Sequence, residues 1–292
     1  MQISVFYDHI TQARQQTGGS LSQLLEMCRS WGIEGLEINY TQLQKGGLQL
    51  RQEFRKAGLS VSCIYEFYDF THSGDIKQAK KQVDLAVKVG AGKVLIVPGF
   101  LEEQEAGELE ECCCGREQDG SRPGLKPERS YASRYETVAR YMGSHASTCR
   151  VRDALRELVE YGEKKGVKIT LEDFDGYTSP CARMLPLKWL MEQVPGLGFT
   201  LDMGNFAYSG EDVTVAYDLL QDYIVHVHCK DRGIEDKGLA CVPVGCGYLP
   251  VRELAAKLKA QGYDGYLAIE HFDAPDQVEY MRRSAEYLKS IG

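Results

Sequence analysis

The chain has 292 residues, 43% of them apolar and 26% charged, with a formal net charge of −8. This is the composition of a globular protein able to bury a sizeable core. The acidic balance excludes a general nucleic-acid binder, whose surface must be basic to displace counterions from phosphates.

The opening "MQISVFYDHI" has no basic segment leading into a long apolar run, and no stretch approaches the ~20 apolar residues that span a bilayer. A cytoplasmic protein without signal peptide or membrane partner is expected. Ten cysteines without regular spacing then read as reduced thiols. The cluster "CCC" at Cys112–Cys114 is expected in a surface loop, because adjacent cysteines are poorly placed to chelate one ion together.

In chain order, short β-branched runs recur after glycines or polar turns. They are "QISVFYD" from Gln2, "GIEGLEINY" from Gly32, "LSVSCIYEF" from Leu59, "GKVLIVPGF" from Gly92, "VKITLEDFD" from Val167, "LGFTLDMGN" from Leu197, "YIVHVHCKD" from Tyr223 and "GYLAIEHFD" from Gly265. Eight strands are predicted. Between most of them lie helical patterns: "SLSQLLEMCRSWG" opens on a Ser20 cap, while "DIKQAKKQVDLAVKVG" and "RVRDALRELVEYGEKKG" carry apolar residues three and four apart. Five of the seven start-to-start intervals have the length of one β-loop-α unit. Eight such units predict an α/β protein, a single (β/α)8 TIM barrel over residues 1–292, with an open doubly wound sheet as the alternative that periodicity leaves.

Two intervals are long. The one after the fourth strand holds a polar insertion at about 101–135, with Pro123 and Pro127. It is expected as a tolerated surface excursion ahead of a lid or interface element, on the barrel face where active-site loops gather. The other leaves room for an active-site loop before the helix near "VRELAAKLKAQG".

Side chains alternate faces along a strand. In the last four strands Ile169, Leu171, Phe199, Leu201, Val225, Val227, Leu267 and Ile269 then face the helices, and the inner faces end in Glu172, Asp202, His228 and Glu270. A packed interior cannot hold three carboxylates together without a cation or protons to offset their repulsion. These four are therefore the expected ligands of a divalent ion, Mn²⁺ or Mg²⁺ from the oxygen-rich set, with Co²⁺ or Zn²⁺ as alternatives admitted by the histidine. His226, one inward step deeper, is expected to support the floor through a hydrogen bond to a neighbouring strand rather than to bind the ion.

The segments "ITLEDF", "FTLDMGN", "VHVHCKD" and "VPVGCGYLPVRELAAKLKAQGYDGYLAIEHF" resemble the metal-bearing strand ends of the xylose-isomerase-like TIM barrel superfamily, and within it the sugar phosphate isomerase/epimerase group. "GLEINY" and "AVKVGAGKVLIVPG" are similar to its earlier segments. The resemblance implies the same four ligands, a small-molecule carbohydrate substrate, a homo-oligomer, and chemistry through a metal-stabilised enediolate. Glu172 and Glu270 would then act as the acid–base pair. Ketose 3-epimerases of that superfamily carry a histidine where this chain has Asn205 and a glutamate where it has Thr178, which argues against free-ketohexose 3-epimerisation.

Further substrate contacts are expected from Asn205, from Lys230 and Arg232 unless they pair with Asp231, and from Glu66 and Glu37 at earlier strand ends unless they simply complete the rim, with Tyr7, Tyr65 and His9 shaping the pocket. The leading expectation is a metal-dependent isomerase or epimerase of a sugar, sugar phosphate or keto-polyol. A lyase on a keto-sugar or keto-inositol, of dehydratase or C-glycoside-cleaving type, is the runner-up. An abasic-site endonuclease would need more histidines and a basic surface, and a non-catalytic sugar-binding protein would leave the two glutamates without a task.

Overall fold

The computed structural model describes residues 1–114, 129–236 and 238–292. Among them eight parallel strands close into a barrel: β1 (Gln2–Phe6), β2 (Gly35–Asn39), β3 (Ser60–Phe67), β4 (Lys93–Val97), β5 (Lys168–Glu172), β6 (Gly198–Asp202), β7 (Ile224–Cys229) and β8 (Tyr266–Ile269). Each pairs with its sequence neighbours, and β8 pairs with β1 to complete the ring. The open-sheet alternative is thereby excluded. All eight strands begin within three residues of the predicted starts.

Burial follows the alternation. Ile169, Leu171, Phe199, Leu201, Val227, Leu267 and Ile269 are buried beneath the helices. Inside, Thr170 Oγ1 and Thr200 Oγ1 lie 2.8 Å apart, so the floor of the β5–β8 side is polar but paired. The β3–β4 side differs: Cys63, Leu95 and Val97 form a separate apolar cluster backed by Tyr65 and Phe174. At the lower end the Tyr266 ring lies so close to Gly35 that a Cβ there would meet it at 2.6 Å, and its hydroxyl sits 2.8 Å from Ser60 Oγ.

The predicted Ser20 cap forms a complete capping box with Gln23 at the head of helix Leu21–Ser30. One expectation is corrected. Cys112–Cys114 do not lie in a loop: they end helix Glu103–Cys114, with Cys113 buried in the core. In the described part of the insertion at 101–135 that helix packs against helix Arg129–Ser144, and Arg183 pairs with Glu110. Residues 115–128 of it lie outside the described residues. Finally, the long loop after β7 opens with an antiparallel hairpin, Asp231–Glu235 against Gly238–Val242.

No helix among the described residues is long and apolar enough to cross a membrane.

Candidate metal centre and pocket

Register explains how the four strand ends meet. Asp202 lies beside His228, and His228 beside Ala268, whereas Glu172 lies beside Thr200, two residues before Asp202. The four donors thus climb as a staircase, and the tilt of barrel strands converts it into a common height at the mouth. One donor atom from each of Glu172, Asp202, His228 and Glu270 lies within 4.8 Å of the others. His228 Nδ1 is 3.0 Å from Glu172 Oε2, 3.1 Å from Glu270 Oε2 and 3.9 Å from Asp202 Oδ2.

Among the described residues three of these atoms, His228 Nδ1, Asp202 Oδ2 and Glu270 Oε2, are buried with no hydrogen bond, their close neighbours being one another, Glu172 Oε2 and, for Asp202, the Lys230 ammonium. Orphaned buried donors and acceptors are rare and costly, and here they converge from separate strands. An oxygen-rich set with one imidazole fits a divalent ion. One ammonium offsets part of the carboxylate charge. Lys230 Nζ lies 3.1 Å from Asp202 Oδ2 and 2.5 Å from Glu270 Oε1. Burial would raise Glu270, but Lys230 and His228 outweigh it and hold the carboxyl well below its usual range. Burial dominates at Glu172, raising it, and lifts Asp202 to about 7 despite Lys230.

The floor carries a group that the sequence placed at the rim. Glu37 is fully buried, and its Oε2 lies 2.8 Å from His226 Nε2, while both oxygens lie 3.2 Å from His228 Nε2. Burial alone would raise its carboxyl, yet the two imidazoles bring it down to about 2. An ionised carboxylate only accepts, so both Nε2 atoms carry the proton and His228 Nδ1 is left to face the carboxylate cluster. His226 therefore lies beneath the site, and its partner stands across the barrel on β2 rather than on a neighbouring strand.

Other expected contacts divide. Asn205, Lys230, Arg232 and Tyr65 line one cavity of about 710 Å³ with Glu172, His228 and Glu270. Asn205 Oδ1 accepts from Lys230 Nζ at 2.8 Å, and its amide donates to the Asp173 carbonyl. Asp231 pairs with neither Lys230 nor Arg232. Its carboxylate instead accepts the backbone N–H groups of Arg232, Gly245, Gly247 and Leu249, clasping the loop that follows the hairpin. His9 is fully buried behind the wall, where its Nε2 accepts the His271 N–H at 2.9 Å and its ring stacks on His271. Glu66 is turned to the outside, accepting from Asn39 and Thr41 at the head of helix Tyr40–Lys56. Tyr7 packs against Phe54. These three are corrected: none lines the cavity.

Sequence reasoning missed the aromatic walls, Phe6, Phe67, Phe174, Tyr208 and Phe272, and it missed Asp173, buried with Oδ1 on the Asp202 N–H. Asp173 follows Glu172 directly in "LEDF", and the aromatics sit at strand ends or in the segments that follow them, but neither pattern announces a pocket by itself.

A family model described as "Xylose isomerase-like TIM barrel" matches residues 25–291. An uncharacterized protein of Methanocaldococcus jannaschii is 32% identical over 146 residues, 47% of this chain and 48% of its own length, so the chain matches about half of that relative. The fold superposes on the probable 3-DHS dehydratase of petrobactin synthesis from Bacillus anthracis, with a TM-score of 0.69, 16% identity and 99% of each chain covered. It likewise superposes on 3-keto-D-glucoside 4-epimerase from E. coli, with a TM-score of 0.64, 18% identity and 99% of each chain covered. At these identities the two structures share a fold with the chain.

Proposed function

We infer function from the premise that the chain belongs to the xylose isomerase-like TIM barrel family, and propose a divalent-metal-dependent isomerase or epimerase of a small sugar, sugar phosphate or keto-polyol. The observation that carries it is the convergence of Glu172, Asp202, His228 and Glu270, with two glutamates flanking one imidazole nitrogen at 3.0 and 3.1 Å. Those four residues would hold the ion. When bound, it supplies Lewis-acid stabilisation of the negative charge that grows on a carbonyl oxygen as the adjacent C–H loses its proton.

The chain's own residues do the rest. Glu172 and Glu270 exchange protons with the substrate, one accepting from the carbon beside the carbonyl and one delivering. Lys230, 2.5 Å from Glu270 Oε1 and bonded to Asn205, orients Glu270. Phe6, Phe174 and Phe272 exclude water from the reacting carbons.

The runner-up, a metal-dependent lyase with the same proton abstraction, is favoured by the apolar β3–β4 half of the cavity, where Phe67, Phe174 and Leu95 offer room for a leaving aglycone or a dehydrated ring. Proton NMR in D₂O on a panel of keto sugars, sugar phosphates and keto-inositols separates the two, comparing chelator-stripped protein with protein reloaded with Mn²⁺, Mg²⁺ or Co²⁺. Metal-dependent deuterium uptake beside the carbonyl, with a new isomer and loss of both in Glu172→Gln, is the expected result. An unsaturated product or released aglycone would instead establish the lyase, and turnover that Glu172→Gln leaves intact would overturn the acid–base assignment.

A further inference from the structure

We propose that Arg232 forms a dedicated oxyanion subsite in the cavity, so that the substrate carries a carboxylate or phosphoryl group beside an apolar portion. This rests on the reading above and names its substrate class. The cavity is lined by two strong cations with different circumstances. Lys230 is consumed by Asp202, Glu270 and Asn205. Arg232 has no such employment. It is 6% exposed, forms no ion pair among the described residues, and its Nε is buried without a partner.

A guanidinium keeps its charge at any physiological pH, so burying it unpaired is costly unless a ligand completes it. The acids at the cavity rim, Asp175, Glu235 and Asp273, are solvent-exposed and none reaches Arg232 as an ion pair. The side chain is also held for recognition. The Tyr208 ring lies under the guanidinium, 4.6 Å from its carbon, which covers one face and leaves the donors to project in the plane. Its backbone is fastened at both ends: the N–H donates to Asp231 Oδ1 at 2.8 Å, and the carbonyl accepts from Tyr248 at 3.0 Å. A pre-positioned planar fork matches an oxyanion's paired oxygens. Across the cavity, Phe6, Phe67, Phe174 and Leu95 supply the apolar surface for the remainder of the ligand.

The test uses the full chain, chelator-stripped and Mn²⁺-loaded, with benzoate, phenyl phosphate and the neutral benzamide as probes. Binding is read by calorimetry and by the Arg232 Nε resonance in ¹H–¹⁵N spectra, assigned by its loss in Arg232→Gln. In stripped protein one or both oxyanions should bind at least about tenfold more tightly than benzamide and shift that resonance. The tighter oxyanion identifies carboxylate or phosphoryl as the group taken. Arg232→Gln should remove the preference, and Arg232→Lys should restore only part of it, because an ammonium lacks the fork. Equal binding of benzoate, phenyl phosphate and benzamide in wild-type protein, no oxyanion binding, or a preference that survives in Arg232→Gln would overturn the proposal. Mn²⁺ affinity, measured in the same samples, reports separately on the metal-dependent reading.

Discussion

Glu37→Gln tests whether one buried carboxylate sets the state of the whole centre. The wild-type side chain accepts from two imidazoles at once, at 2.8 Å from His226 Nε2 and 3.2 Å from His228 Nε2. A glutamine keeps the shape but offers one accepting oxygen and one donating nitrogen, so one imidazole loses its acceptor. If that imidazole is His228, its proton moves to Nδ1, the atom that faces Glu172 and Glu270. Losing one charge-assisted bond and orphaning a buried N–H should cost about 3 kcal/mol. At roughly 2 °C per kcal/mol for a chain of this size, the melting temperature in chelator should fall by roughly 6 °C. Mn²⁺ affinity should fall about 10- to 100-fold, as it does when the partner behind a ligating histidine is removed. Thermal melts in chelator and calorimetric Mn²⁺ titration measure the two effects independently. A variant that loses stability yet keeps Mn²⁺ affinity within twofold would show that Glu37 braces the floor without governing His228, and the tautomer argument would be refuted.

Two further outcomes are expected. Gly247→Ala would put a Cβ 2.2 Å from Asp231 Oδ1 and 2.4 Å from the Arg232 carbonyl, so urea melts should show a loss of about 2 kcal/mol and limited proteolysis should cut the 245–249 loop faster; an unaltered digestion pattern would mean that Asp231 does not clasp it. Glu211, partly buried, is raised by desolvation to about 7, against the usual 4.5. Between those pH values the folded chain keeps a proton that the unfolded chain releases, so this group destabilises the fold progressively as pH rises from 4.5 to 7. Glu211→Gln retains an acceptor for the Met184 N–H and should be relatively more stable at pH 8 than at pH 4 by about 3 kcal/mol; parallel pH profiles for the two proteins would contradict this.

The strands and their inner faces were legible in the sequence because alternation is a local property: "VHVHC" commits its histidines to one side of any sheet it joins. The same rule brought out Glu172, Asp202, His228 and Glu270 together, since all four end strands of one barrel half. It failed wherever the partner was distant. Glu37 and His226 are 189 residues apart and meet only across the closed barrel, so Glu37 looked like a rim group. Glu66 and His9 stood at suitable strand and helix ends, but the donors Asn39, Thr41 and the His271 N–H took them out of the pocket. The Cys112–Cys114 triplet was misplaced because its polar flanks hid the spacing of Ala106, Leu109 and Cys113, whose burial depends on what they pack against.

What the sequence by itself determined was the strand and helix order and the inward set of titratable residues. What only the tertiary structure decided was employment. Lys230 and Arg232 are two residues apart and carry the same charge, yet one is neutralised by Asp202 and Glu270 while the other faces the cavity with no ion-pair partner among the described residues. Charge belongs to the residue type, but its compensation depends on distances of 3 to 4 Å between strands far apart in the chain, and those distances exist only once the barrel has closed.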